Sequence, residues 1–238
     1  MLFRSDFIND PDVARALVDK VAEWGREQGL TEMVGPLGFA DMDKEGLLVE
    51  GFDRLSPFTT IYNYDYYGPL LEKAGLKKDI DWIQRSIEIP DKVDKIYKAA
   101  DLVEQRFGLH MVRDRNVRRT IRKYGVKLFH MYNESFAPLY EFTPLTDRQI
   151  SGYVKSFGSL MDPDFLGILV DRDDNIAGFA ISTPSPAMAF QKNGGKLFPF
   201  GWIPVLKTLN AKKIDTFDLL LIGVRPDLQG TGIDRKST

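Results

Sequence analysis

The chain has 238 residues, 43% of them hydrophobic and 28% charged, with a formal net charge of -2. That is enough for two small domains or one large one of a globular protein, with no general attraction to nucleic acid or to an anionic membrane. The absence of cysteine excludes a disulfide framework, thiol catalysis and zinc-thiolate sites, and two histidines, His110 and His130, make a histidine-rich metal site unexpected.

In chain order, Asp10-Pro11-Asp12 has the form of a helix start, with Val13, Leu17, Val21 and Trp24 at helical spacing and Gly29 as the stop. Thr31 to Gly35 is expected as a short strand. Residues 36–60 read as irregular, with an acidic centre at Asp41, Asp43 and Glu45. The tyrosine cluster Tyr62, Tyr64, Tyr66 and Tyr67 leads into a short helix from Pro69 to Ala74, closed by Gly75; aromatic clusters of this kind usually pack a core. Asp79 to Glu88 alternates partially and is expected as a strand. Pro90 marks the expected domain boundary, giving units 1–89 and 90–238.

A new amphipathic helix from Pro90 carries Val93, Ile96, Tyr97, Ala100 and Val103 and ends at Gly108. Leu109 to Arg113 is a predicted strand. A long helix follows from about Asn116 to Phe136, and Thr146-Asp147-Arg148-Gln149 has capping-box form at the head of another. Phe165–Val170 and Ile176–Ser182 flank a turn at Asp171–Asn175, the clearest hairpin signal in the chain. Ser185 to Asn210 reads as two short helices. Thr216 to Val224 is an apolar strand, ended by Pro226.

The turn after that strand, Gln229-Gly230-Thr231-Gly232, is built of small residues whose bare amides suit an anion. The segment from Leu109, with its strand, two helices, hairpin, connection, strand and glycine turn, resembles the GNAT superfamily of N-acetyltransferases. There the fourth strand has an apolar-x-Val-x-Pro pattern, matched by Ile222-Gly223-Val224-Arg225-Pro226. A Gln/Arg-x-x-Gly-x-Gly/Ala loop for the acetyl-CoA pyrophosphate follows, matched by Gln229 to Asp234. Asp234 departs from the small residue that the family prefers at the end of this loop.

The resemblance implies an α/β fold, a GNAT-like mixed sheet flanked by helices. It implies Ile222, Gly223, Val224, Gln229, Gly230, Thr231 and Gly232 as the acetyl-CoA-binding residues, the main-chain amides near Gly223 and Val224 holding the thioester carbonyl. The amino-terminal part resembles the second half of a degenerate module of the same kind, through Leu70-Leu71-Glu72-Lys73-Ala74-Gly75-Leu76, with Leu71 where the family has a tyrosine acid. On this reading the chain is a fragment of a tandem bacterial protein of about 370 residues, cut after the pyrophosphate loop.

The expected activity is transfer of an acyl group from acetyl-CoA or another acyl-CoA to a small-molecule or peptide amine. Glu134 is the expected general base, with Tyr140 and Glu141 beside it. Two alternatives stay open. One is a Fem-type transferase that uses aminoacyl-tRNA, for which the stripe Arg115, Arg118, Arg119 and Arg122 would matter; the other is a non-catalytic module with the same fold. No membrane partner and no metal is expected, oligomers are allowed, and the expected location is cytoplasmic. The run Leu197-Phe198-Pro199-Phe200-Gly201-Trp202 is either the lining of a lipophilic channel or a surface that packs against something.

Overall fold

The computed structural model describes residues 6–90, 92–157, 161–211 and 213–231, excepting the side chains of three residues in the helix before Gly108. Two compact units are present: Met1–Ser86 with Pro186–Lys196, and Ile87–Ser185 with Leu197–Thr238.

In the first unit, helix α1 spans Pro11–Glu27. It starts there because the Asp10 carboxylate accepts from the amides of Asp12 and Val13, and because proline is pre-shaped for the first helical turn. Ala14 and Val18 are buried against Phe7 and against Tyr67, Leu70, Leu71 and Ala74 from helix α2 (Tyr67–Lys73). The helix begins two residues before Pro69, whose missing N–H is harmless in a first turn. The tyrosines are structural here: Tyr66 donates to the Phe7 carbonyl at 3.0 Å, Tyr67 donates to Asp6, and Tyr62 donates to the Phe52 carbonyl. The Asp6 hydrogen bond and burial together push the Tyr67 phenol up to about 12. The strands expected at Thr31–Gly35 and Asp79–Glu88 are absent; neither segment takes part in a ladder. Residues 79–88 are exposed throughout and place polar and apolar residues on both faces, so no apolar face fixes a register. Helix α6, Ala187–Lys192, completes this unit.

The second unit begins with helix α3, Asp94–Phe107, terminated by Gly108 at φ 65°. Its start lies four residues later than Pro90. The sheet is four-stranded and antiparallel, in the order β1 (His110–Met111), β2 (Leu166–Val170), β3 (Ile176–Pro184), β4 (Phe217–Val224). Helix α4, Val117–Phe136, buries a stripe of Thr120, Tyr124, Leu128 and Tyr132, spaced one turn apart. Helix α5, Asp147–Phe157, begins with the capping box seen in the sequence: Thr146 N–H donates to the Gln149 side chain at 2.9 Å and Gln149 N–H returns to Thr146 Oγ1 at 3.4 Å. Gly125 lets the two helices close, since a Cβ there would lie 3.1 Å from Val154 Cγ1. Helix α7, Trp202–Leu209, packs on β3. The expected α/β arrangement of a sheet flanked by helices is therefore present.

Two bulges shape the sheet. Ile181 opposes Leu221 while Ser182 opposes Leu219, so Leu220 has no partner and the facing pattern of β4 changes phase there. Phe217, Leu219 and Ile222 consequently share one face, which is exposed; Asp218, Leu221 and Gly223 share the other, with Phe179 and Ile181. On that second face α4 comes very close. A Cβ on Gly223 would sit 2.6 Å from Phe179 Cε1 and 2.8 Å from Ser135 Oγ. We expect Gly223→Ala to cost about 1–3 kcal/mol by overpacking, read as a lowered urea midpoint with an unchanged slope.

Candidate functional site

The region that the sequence singles out lies where β4 runs into a 3₁₀ turn, Pro226–Leu228. Leu228 is buried beside Leu109 and Ala177, with Phe107, Leu169 and Val224 packed around them. This apolar anchor fixes where the glycine turn begins. Gln229 is extended and Gly230 takes φ 71°, a left-handed backbone that favours glycine.

The main-chain groups of β4 divide between its two sides. Arg225 N–H donates to the Ala177 carbonyl at 2.9 Å. Sides alternate along an antiparallel strand, so Gly223 also bonds toward β3, opposite Phe179, whereas Ile222 and Val224 turn their N–H and C=O to the other side. Among the described residues no strand pairs with that side. The Val224 carbonyl there accepts the Gln229 side-chain amide at 2.9 Å. Of the candidate carbonyl-holding amides, Gly223 is thus committed to the ladder, while Ile222 and Val224 face the open edge.

In the turn itself, Gln229 N–H donates to the Pro226 carbonyl at 3.3 Å and Thr231 N–H to the Leu228 carbonyl at 3.4 Å. Both bonds lie at the long end of the N–H···O range. Thr231 Oγ1 makes a short bond to the same Leu228 carbonyl, 2.6 Å. Gly232 and Asp234 lie outside the described residues.

An ionic cluster holds the turn to the sheet. The Arg225 guanidinium meets Asp171 at 2.8 Å and Asp227 at 2.7 and 3.2 Å. Hydrogen bonds from Arg225 hold both carboxyls below the usual aspartate range, and the two carboxylates in turn raise Arg225. Asp171 also accepts from the amides of Asp173 and Asn175, so the β2–β3 turn and the end of β4 are tied at one residue.

The sequence reading passed over Asp218. It stands on the α4-facing side of β4, and its Oδ2 is shielded from solvent with no hydrogen-bond partner. Burial raises its carboxyl above the ordinary value, with a hydrogen bond to Ser185 opposing that shift. A carboxylate with one oxygen shielded and unpartnered costs stability, and perturbed acids concentrate at functional sites. The available signal was a single acid inside an apolar strand. Glu134 is exposed on α4, next to the Ser135 that touches Gly223, and makes no hydrogen bond or ion pair among the described residues. Tyr140 and Glu141 follow in the turn after α4, with Glu141 at φ 51°. The arginine stripe is exposed, Arg119 lying 3.7 Å from Asp114. Leu71 is part of the first unit's core, and His110 is exposed on the short edge strand β1.

The signs of these shifts predict a pH dependence. Asp171 and Asp227 are depressed, so their contribution is present above the ordinary value of 3.8 and is lost as pH falls through their folded values. Asp218 is raised, so the folded state is favoured while it is protonated and loses that advantage as pH climbs through and above 3.8. Urea midpoints measured against pH are expected to show a smaller acid-side fall in Arg225→Met, since Asp174 stays depressed by Lys123 and Tyr124, and Asp218→Asn is expected to be the more stable protein at neutral pH.

No family model matches the chain, and no solved structure matches it significantly. Two curated proteins do. It is 27% identical over 228 residues to Protein YghO of Escherichia coli (strain K12), covering 94% of this chain and 57% of that protein. It is also 27% identical over 228 residues to the bacterial ceramide synthase of Caulobacter vibrioides (strain NA1000 / CB15N), covering 93% of this chain and 57% of that protein. The chain thus spans somewhat over half the length of these relatives. Among the described residues no helix is long and apolar enough to cross a membrane, and no three His, Asp or Glu side chains are grouped to hold a metal ion.

Proposed function

We propose that the chain carries the acyl-transfer portion of a larger enzyme that moves an acyl group from an acyl-CoA to an amine. The relative named a ceramide synthase supports this reading. A ceramide is the amide of a fatty acid and a long-chain amino alcohol, so its synthesis joins an acyl group to nitrogen. The observation that carries the reading in this chain is the open edge of β4, where Ile222 and Val224 turn main-chain donors outward just before a left-handed glycine turn.

The roles follow from the chemistry. Outward N–H groups at Ile222 and Val224 receive the thioester carbonyl and stabilise the negative charge that builds on its oxygen as the amine attacks. The C–N bond forms, the C–S bond breaks, and the nitrogen gives up a proton. Asp218, four residues before Ile222 along β4, is the candidate base with the raised carboxyl, and Glu134, next to the Ser135 that touches Gly223, is the alternative. A carboxyl raised by burial is closer in proton affinity to its task than a solvated one. Gln229, Gly230 and Thr231 form the turn against which the diphosphate rests; the long bonds of Gln229 and Thr231 are the ones an anion would exchange for its own.

Release of free thiol from a long-chain acyl-CoA on addition of a long-chain amine tests this reading. Asp218→Asn is expected to lower kcat by about 10²–10⁴ with acyl-CoA binding retained. If Glu134→Gln has that effect instead, the base is on α4. Absence of both acyl-CoA binding and thiol release in the folded protein overturns the reading. It would favour a non-catalytic module, consistent with turn amides already spent on neighbouring carbonyls.

A further inference from the structure

The segment Leu197–Leu206 puts large apolar side chains into solvent: Phe198 is 84% exposed, Phe200 69%, Leu206 47% and Trp202 43%. It is a built projection. Trp202 N–H donates to the Leu197 carbonyl at 3.0 Å, Trp202 Nε1 to the Pro199 carbonyl at 3.1 Å, and Ile203 N–H to the Phe200 carbonyl at 3.1 Å. Buried Val205 seats α7 beneath it. The phenylalanines are therefore presented by an internally bonded turn, and their exposure is maintained at the cost of keeping aromatic surface in water.

Charge indicates what the turn meets. From Asn175 to Ile214 the sequence holds five lysines (Lys192, Lys196, Lys207, Lys212, Lys213) and no aspartate or glutamate, in a chain whose net charge is -2. Lys207 and Lys213 are exposed in the same unit as the aromatic turn. Exposed aromatic side chains and lysines carried by one unit suit the headgroup region of a bilayer, where rings sink to the acyl boundary and ammonium groups stay among phosphates. Self-association through this surface is disfavoured, because a two-fold interface would set lysines against lysines. A spanning segment is not involved, since no described helix is long and apolar enough to cross a membrane.

We infer that Phe198, Phe200, Trp202 and Leu206, with Lys207 and Lys213, form a docking surface for an anionic lipid bilayer. The overall charge predicts no general attraction to membranes; the local charge of this one stretch does. The inference stands on exposure and charge, and it does not depend on the acyl-transfer reading.

Co-sedimentation of the 238-residue chain with vesicles tests it, using phosphatidylcholine alone and phosphatidylcholine mixed with phosphatidylglycerol. Binding is expected to the mixed vesicles and to weaken as salt is raised. Phe198→Ser with Phe200→Ser should reduce the partition coefficient about tenfold or more. Lys207→Ala with Lys213→Ala should reduce it about tenfold on mixed vesicles and little on the neutral ones. These positions are exposed, so folding is expected to be retained, with circular dichroism and the urea midpoint as controls. A blue shift of tryptophan emission on mixed vesicles, lost in Trp202→Phe, would place the turn at the acyl boundary. No binding by the folded wild type, or equal binding by the double phenylalanine variant, overturns the proposal. So does concentration-dependent dimerisation that the same substitutions abolish while vesicles stay unbound, an outcome that assigns the surface to a second copy.

Discussion

The guanidinium of Arg225 is the point through which the carboxyl-terminal half of the sheet is held. On one side it bonds Asp171, the first residue of the β2–β3 turn; on the other it grips Asp227 in the turn after β4. The β2–β3 turn is itself pinned to helix α4, because Asp174 accepts from Lys123 and Tyr124 and its carbonyl accepts from Lys127. Helix, hairpin and strand end thus share one polar junction. The apolar packing of Leu228 on Ala177 and Leu109 closes the same corner from beneath. Together with the Leu228 anchor and the bond from the Gln229 side chain to the Val224 carbonyl, the junction sets the outward-facing groups of Ile222 and Val224 relative to the turn that follows them.

Much of this was legible in the sequence where local chemistry and long-range packing agree. The Asp10 cap, the Thr146–Gln149 capping box, the Gly108 stop and the β2–β3 hairpin are all set by a few neighbouring residues, and each is found where its signal stands. The expected strands at Thr31–Gly35 and Asp79–Glu88 are missing because a strand needs a partner to complete its ladder, which periodicity does not supply. Helix α2 starts two residues ahead of the expected Pro69, because proline is tolerated anywhere in the first turn and does not mark the first residue. At the site, the order of strand and glycine turn was readable. Which amides face the ladder was not, since that depends on register. Asp218 was hidden by the same fact: its burial depends on pairing with β3, and in sequence it is one acid before an apolar run.

The site region and the aromatic projection ask different things of the chain. Around β4 the requirement is rigidity: a glycine where no side chain fits, a buried anchor, and an arginine bonded on two sides. At Leu197–Leu206 the requirement is display, met by a turn bonded within itself that leaves the Phe198 and Phe200 rings in solvent.

The unpaired Leu220 has a further meaning for how such a strand evolves. Side chains on a strand have a parity of two, and this one extra residue reverses that parity for everything upstream of it. Closing the bulge with Leu220 retained would pair Leu220 with Ser182, turn the Asp218 carboxylate out to water and drive Leu219 inward, whereas deleting Leu220 would restore plain alternation with Asp218 still facing α4. The bulge therefore decides whether this sheet hides an acid or an aliphatic group behind α4, and it does so with no change in composition.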